Sequence, residues 1–424
     1  MNSPLPTHQT LIIGGGFGGL STAKALAGKP QVKVTLIDRR NYHLFQPLLY
    51  QVATAGLSPA DIAVPIRSIL SGKKNVEVAL AEVEAIDLRA RTVRAGGHDW
   101  PYDSLVLACG ARHSYFGHDE WEDHAPGLKT LEQATEIRRR ILLAFELAEK
   151  TTDAEEQKRQ LTFAVVGGGP TGVELAGAIA EISRTTLEKD FRHIDPALTR
   201  VVLIEGSPRI LGGFNEKLSA RAARDLENLG VEVRTATRVT GVSEDGVSLG
   251  SEILRAATVI WAAGVRPSAI GKLLGVPLDP AGRVIVGPDL AIPGHPEVFV
   301  IGDQAAAKDA EGRPLPGLAP VAVQQGRYVA ERIRRTGGEA SRPPFHYTDK
   351  GQMATIGRKR AVMQFRGIYI GGFIAWLAWL FIHIFYLIGF KNRISVLATW
   401  TWSYVTFQRG ARLITEKEWR ETPH

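Results

Sequence analysis

Apolar residues first gather in a short run at 10–13 that ends abruptly in the glycine cluster GGGFGG. A stretch with helical spacing at 20–27 follows, and a second apolar run at 32–37 ends on Asp38. Short apolar runs bounded by glycine predict buried strands, so this segment reads as a strand, a glycine turn, a helix and a strand of the doubly wound kind. Another strand is expected at 104–108, closing on VLACGA, and a charge-rich helix over 130–151. The pattern then starts again. An apolar run at 161–166 leads into GGGPTG, a helix over 173–187, a strand at 201–204 ending on Glu205, and a last strand ending in VIWAAG. The repeat predicts an α/β chain with two dinucleotide-binding units of Rossmann type. The strand-like 298–301 has no glycine turn of its own and is expected to return to the first unit's sheet.

From about residue 345 the pattern changes. Residues 368–390 are 23 positions without Asp, Glu, Lys or Arg, followed by Lys391 and Arg393. A second aromatic stretch contains Trp400, Trp402, Tyr404 and Phe407 and leads to Arg409 and Arg412. The apolar run is long enough for a bilayer core of about 30 Å. Gly371-Gly372, His383 and the scattered tryptophans instead suit a helical anchor lying in the membrane plane, with basic flanks. The in-plane anchor is the preferred reading and a single span the alternative.

Composition narrows the picture. The 424 residues are 44% hydrophobic and 22% charged, a folded chain with room for two or three packed units. A net charge of +7 suits an anionic partner. No run of five or six basic residues occurs, and basic residues flank the apolar tail, which favours a membrane surface over nucleic acid. The N-terminal segment MNSPLPTHQT lacks a charged region followed by an apolar one, so no secretory signal is expected. A single cysteine, Cys109, rules out an internal disulfide and reads as a small buried hydrophobe.

The chemistry lies in the two glycine turns. Gly14, Gly16 and Gly19 fit G-x-G-x-x-G between a strand and a helix. The first glycine permits the turn, the second lets backbone approach a pyrophosphate at the helix N-terminus, and the third lets helix and strand pack closely. Asp38, 19 residues beyond Gly19, is placed to accept from ribose hydroxyls. Gly167, Gly169 and Gly172 repeat the spacing, with Glu205 as the acid 33 residues beyond Gly172. A longer helix and the loop carrying Asp195-Pro196 are expected to account for the excess. A carboxylate at 205 favours NADH over NADPH, and Arg209 four residues on leaves that preference open. Two such sites suggest one resident and one exchangeable dinucleotide. Gly302-Asp303, at the end of the returning strand, is the arrangement that binds the ribityl and phosphate part of FAD in two-dinucleotide flavoproteins. That assigns FAD to the first turn and NADH to the second.

At these residues the chain resembles the type II NADH:quinone oxidoreductases, the single-subunit NADH dehydrogenases that pump no protons. The resemblance runs over nearly the whole length. NYHLFQPLLYQVAT (41–54) looks like the family's flavin-side segment, GGGPTGVELAG (167–177) its NADH motif, and VFVIGDQA (298–305) its second FAD motif. LAPVAVQQG (318–326) and DKGQMATIG (349–357) look like quinone-side and flavin-side stretches. The tail ending in FQRGARLIT resembles the membrane-anchoring end of the Gram-negative bacterial members. Where many members have Ala-Gln-x-x-x-Gln, Pro320 follows Ala319 here, and Gln324 and Gln325 remain.

The resemblance implies hydride transfer from NADH to FAD and two-electron transfer to a membrane quinone, feeding a respiratory chain. It implies FAD contacts at Gly14, Gly16, Gly18, Gly19, Asp38, Arg39, Gln51, Ala108, Gly110, Gly302, Asp303 and Lys350. NADH contacts fall at Gly167, Gly169, Gly172, Glu205 and Gly264, and Glu174 matches the acid that approaches flavin and nicotinamide. A plain first-turn acid favoured by the helix dipole is the competing account of Glu174. Gln324, Gln325 and His383 fall on the quinone side, although a polar residue facing the protein body also explains His383. No metal site is expected. The implied domains are 8–157 and 273–344 for FAD, 158–272 for NADH and 345–424 for the membrane-associated end. The implied location is the cytoplasmic face of a bacterial inner membrane, and a homodimer is compatible with the pattern. Disulfide reductases and sulfide:quinone oxidoreductases need a second thiol that this chain lacks. A soluble NADH-dependent ferredoxin or rubredoxin reductase leaves 368–390 unexplained. A flavin-bearing interaction protein with a nucleic-acid surface lacks the basic run.

Overall fold

The computed structural model describes residues 7–187, 190–335, 343–406 and 408–415. Residues 1–6, where the absence of a signal was read in part, and Phe407 of the aromatic tail lie outside the described residues, as do residues 416–424. The chain divides into two units. One comprises Met1–Leu44, Ala63–Arg112 and Val265–Lys350, and the other Phe45–Ile62, His113–Gly264 and Gly351–His424.

The first unit is built on a six-stranded sheet in the order Ala291–Ile292, His295–Val300, Ser104–Leu107, His8–Ile13, Val32–Asp38, Val76–Leu80. All neighbours are parallel except the first pair. Leu11, Ile12, Ile13, Leu36, Ile37 and Leu105 to Leu107 are all buried, as strands covered on both faces must be. The register aligns Ile13 with both Ile37 and Leu107. Gly14, Asp38 and Ala108 therefore leave the sheet side by side at its carboxyl edge. The returning strand pairs with Ser104–Leu107 as expected, Val300 opposite Leu107, and delivers Gly302 to the same edge.

Helix Phe17–Leu26 packs on helix Ala319–Arg334 through Gly18 and Gly326. The Thr22 hydroxyl lies 3.1 Å from the carbonyl oxygens of both residues. Pro320 occupies the first turn of the second helix, where a missing N–H leaves no hydrogen bond unmade.

The second unit repeats the plan with a four-stranded parallel sheet in the order Val231–Arg234, Arg200–Ile204, Thr162–Val166, Thr258–Trp261. Val166 lies opposite both Ile204 and Trp261, as Ile13 lies opposite Ile37 and Leu107 in the first unit. Helix Leu131–Lys150 belongs to this unit, capped by the Thr130 hydroxyl, which accepts from the Gln133 N–H. The long gap before Glu205 has the origin expected. Helix Pro170–Glu181 continues without a break into a π-helical turn, Ile182–Thr186, so the helical stretch outlasts the 10-residue Phe17–Leu26. The rest lies in the segment that carries Asp195-Pro196 into the short turn Pro196–Leu198.

The apolar stretch 368–390 is not one element. Ile368–Gly371 is the last strand of an antiparallel sheet with Gln352–Gly357 and Arg360–Phe365. Gly372 then takes φ +87°, which turns the chain into helix Phe373–Tyr386, and Gly389, at φ +90°, precedes helix Phe390–Thr406. Fourteen helical residues rise only about 21 Å. Among the described residues, no helix is long and apolar enough to cross a membrane, so the single-span alternative falls. The outer sides of these helices stay uncovered: Ile374, Phe381, Phe385, Phe390, Trp402 and Val405 are all at least 60% exposed.

Candidate functional site

The two glycine turns match bond for bond. In the first, the Gly14 N–H donates to the Ile37 carbonyl at 2.8 Å, and in the second the Gly167 N–H donates to Ile204 at 2.7 Å. Gly14 has φ +101° and Gly167 φ +110°, and a Cβ on either would run into backbone of the adjoining strand end. At Gly19 and Gly172 a Cβ would overlap the carbonyl oxygens of Gly14 and Gly167. These positions admit only glycine.

The acids do more than wait for a ribose. Asp38 Oδ2 accepts the Gly15 N–H at 2.6 Å and Oδ1 the Arg40 N–H at 2.7 Å. Glu205 Oε2 accepts the Gly168 N–H at 2.6 Å and Oε1 the Ser207 N–H at 2.7 Å. Each carboxylate thus clamps its own turn and keeps lone pairs for hydroxyl donors. The helices beyond, starting after Gly16 and Gly169, have no side-chain cap. A Cβ at Gly169 would enter open space. Uncapped N–H groups facing open space fit the diphosphate of a dinucleotide. Arg209 turns away from this mouth: its guanidinium donates to the carbonyls of Phe214 and Gly212.

Other predicted positions in the first unit behave as follows. Gly110 has φ +62° and its carbonyl accepts the Ser268 N–H at 3.0 Å. Arg39 is exposed and sits 3.9 Å from Glu82, and Lys350 is exposed. Gly302 has φ +70°, and Asp303 follows it in a short turn, Gly302–Gln304. Gln325 is buried and accepts the Gly302 N–H at 2.7 Å, while Gln324 exchanges two hydrogen bonds with the Thr348 backbone. Both glutamine side chains are thus committed within their own unit. Gln304, absent from the sequence reading, is buried, accepts the Cys109 N–H at 2.8 Å and donates to Ser268. Cys109 is partly buried, and burial pushes its thiol up to about 12, a group with little thiolate character.

In the second unit, Gly264 takes φ +65° against Ser114 and Phe116. Glu174 lies beyond the first turn of helix Pro170–Glu181, which carries no acid, so the helix-dipole account lapses. It faces a cavity of about 440 Å³ lined by Tyr50, Glu181, Thr355, Trp376, Trp379 and Trp400, with Gln51, Arg358 and Arg409 also in its walls. Desolvation pushes the Glu174 carboxyl up to about 8, and the N–H of Thr355, 3.4 Å away, offsets this only in part. It therefore carries a proton at neutral pH.

At the other end of the cavity, Glu181 lies 3.6 Å from Arg409 and accepts the backbone N–H of Arg358. Arg358 donates to the carbonyls of Ser403 and Tyr404, closing the end of helix Phe390–Thr406. The indole N–H of Trp379 is buried without a partner among the described residues. His383 stacks on Trp379 at 4.2 Å, its Nδ1 lies 2.7 Å from the Trp379 carbonyl oxygen, and burial lowers it to about 4. It is neutral and stands behind the cavity wall. Sequence spacing could not have joined Tyr50, Thr355, Trp400 and Arg409, which come from segments far apart in the chain.

Two sheets, one parallel and one parallel but for its edge pair, each with a glycine turn at its carboxyl edge, define a flavoprotein of the two-dinucleotide class. The pyridine nucleotide-disulphide oxidoreductase family matches residues 8–326, and the NDH2 C-terminal domain matches 350–408. The type II NADH:quinone oxidoreductase NdhA of Mycobacterium tuberculosis is 46% identical over 97% of this chain and 90% of its own length. The Ndh enzyme of the same organism, also named a type II NADH:quinone oxidoreductase, is 46% identical over 98% and 92%. The chain belongs to the type II NADH:quinone oxidoreductase family. The same fold occurs in NDH2 from Plasmodium falciparum, solved with NADH, with a TM-score of 0.88 at 21% identity over 96% of this chain and 99% of that one.

Proposed function

We propose that this chain oxidises NADH and reduces a membrane quinone through bound FAD, without pumping protons, at the entry of a respiratory chain. NADH, one proton and quinone become NAD⁺ and quinol. The observation that carries this reading is the cavity itself, into whose walls the aromatic helices bring Trp376, Trp379 and Trp400 together with the Glu174 carboxyl.

FAD, when bound, accepts the hydride and passes two electrons onward. Its diphosphate suits the turn at Gly14, Gly16, Gly18 and Gly19. Asp38 is assigned to its ribose, Asp303 with Gly302 to its ribityl phosphate, and Arg39, Gln51, Ala108, Gly110 and Lys350 to the remaining contacts. NADH is assigned to Gly167, Gly169, Gly172, Glu205 and Gly264. Glu205 would repel a 2′-phosphate, and Arg209, tied to two carbonyls, is not turned to receive one. The FAD part is assigned to 8–157 with 273–344, the NADH part to 158–272, and the membrane-associated part to 345–424.

Glu174 holds the proton that a quinone needs besides the hydride pair. The quinone head reaches it through the aromatic cavity, and the exposed faces of Phe373–Tyr386 and Phe390–Thr406 lie in the plane of the cytoplasmic leaflet of a bacterial inner membrane. Gln324, Gln325 and His383 then act as supports for their surroundings rather than as quinone contacts. The test is NADH oxidation by the purified holoprotein with a short-chain quinone, or with ferredoxin or rubredoxin, as acceptor. Quinone-dependent turnover at least tenfold above that with either protein acceptor is expected, and the reverse order would favour a soluble reductase.

A further inference from the structure

Trp400, on helix Phe390–Thr406, donates its indole N–H to Oε1 of Gln51 at 2.7 Å. An indole N–H can only donate, so the Gln51 amide must turn its oxygen toward Trp400 and its nitrogen away. That nitrogen donates to the Tyr50 hydroxyl at 2.9 Å. The Tyr50 oxygen is thereby engaged as an acceptor, and its own proton meets no acceptor among the described residues. All three side chains line the aromatic cavity, and Tyr50 is only 7% exposed. Burial, reinforced by Glu174, holds the Tyr50 phenol well above its ordinary range, so the proton stays on the oxygen.

We propose that Trp400 is a positioning residue that acts through Gln51 to make Tyr50 a hydrogen-bond donor to the carbonyl oxygen of a quinone in this cavity. The proposal rests on the cavity being the quinone site. Without the indole N–H, the Gln51 amide is free to turn over. Its oxygen would then take the Tyr50 proton, and the cavity would lose its donor. With the relay in place, the donor is set before the quinone arrives, and its bond strengthens as negative charge builds on the carbonyl oxygen. Tyr50 keeps its proton throughout. The same helix exposes Ile394, Leu397, Trp402 and Val405, so a lipid-facing element and the donor are joined by two hydrogen bonds.

The test is a double-mutant cycle in the holoenzyme with Tyr50→Phe, Trp400→Phe and the pair, using a short-chain benzoquinone. The readouts are kcat/KM for the quinone, its Kd by calorimetry without NADH, and the rate at which NADH bleaches flavin absorbance. Each single variant is expected to lower kcat/KM for quinone about tenfold and to weaken Kd in step. The pair should be no worse than Tyr50→Phe alone, and bleaching by NADH should stay within about twofold. Additive losses in the pair, or equal slowing of the bleaching step, would overturn the relay and leave the cavity reading standing. A Tyr50→Phe variant with unchanged quinone kcat/KM and Kd would overturn the donor role of Tyr50 and the relay with it.

Discussion

The Glu174 carboxyl accepts the backbone N–H of Thr355 across 3.4 Å, the one hydrogen bond among the described residues that opposes its desolvation. A contact that long stabilises the anion weakly, which is why burial sets the charge. The pH dependence follows. An unfolded glutamate titrates near its ordinary value of 4.5, and the folded one near 8. Between these values the unfolded state releases a proton that the native state keeps, so this group's contribution to stability is full below about 4.5 and is lost progressively up to about 8. Glu174→Gln should therefore gain Tm relative to the parent as pH rises from 5 to 8. Its quinone turnover should fall about 100-fold, and the ionisation near pH 8 should vanish from the rate profile. Thermal melts and rate profiles over that range check both.

Asp38 and Glu205 hold equivalent turns and should fail differently. Glu205→Ala frees the N–H groups of Gly168 and Ser207 in the exchangeable site, and a rise of about tenfold in KM for NADH is expected with flavin content unchanged. Asp38→Ala frees those of Gly15 and Arg40, and the protein should purify with less flavin. Flavin-to-protein ratio and NADH kinetics separate the two.

Gly177, on the helix that carries Glu174, presses against strand Gln352–Gly357, and a Cβ there would overlap the Ile356 carbonyl oxygen. Gly177→Ala must push the strand off the helix, at a cost of about 1–3 kcal/mol. A lower Tm together with a shifted Glu174 ionisation is expected, since Thr355 sits on the same strand.

Phe381 and Phe385 are 70% and 60% exposed on the outer side of helix Phe373–Tyr386. Replacing both with Glu should lower partition onto vesicles at least tenfold, because the apolar area that would enter the lipid becomes charged. Vesicle sedimentation measures this, and NADH-driven flavin bleaching in the same preparation shows that the rest of the chain is intact.

The two turns were legible in the sequence because everything they need is local: glycines at fixed spacing, an apolar strand before and an acid after the next strand. The clamp formed by Asp38 and Glu205 on their own turns was not, since an acid at a strand end looks the same whether it meets a ribose or a backbone N–H. The apolar count at 368–390 suggested one long element because hydropathy does not register Gly372 at φ +87° or the strand Ile368–Gly371. The cavity was hidden for a different reason. Its Trp400 and Gln51 are 349 positions apart, and only folding brings them within hydrogen-bonding distance. The resemblance puts Gln324 and Gln325 on the quinone side, and nothing local in the sequence announces the hydrogen bonds they make to Thr348 and Gly302.

The most direct test is made anaerobically on the purified yellow protein, first with NADH and then with a short-chain quinone. Prompt loss of flavin absorbance on the first addition and its prompt return on the second are predicted. Flavin that NADH bleaches but quinone does not restore would contradict the account, because the cavity beside Glu174 would then have some other occupant.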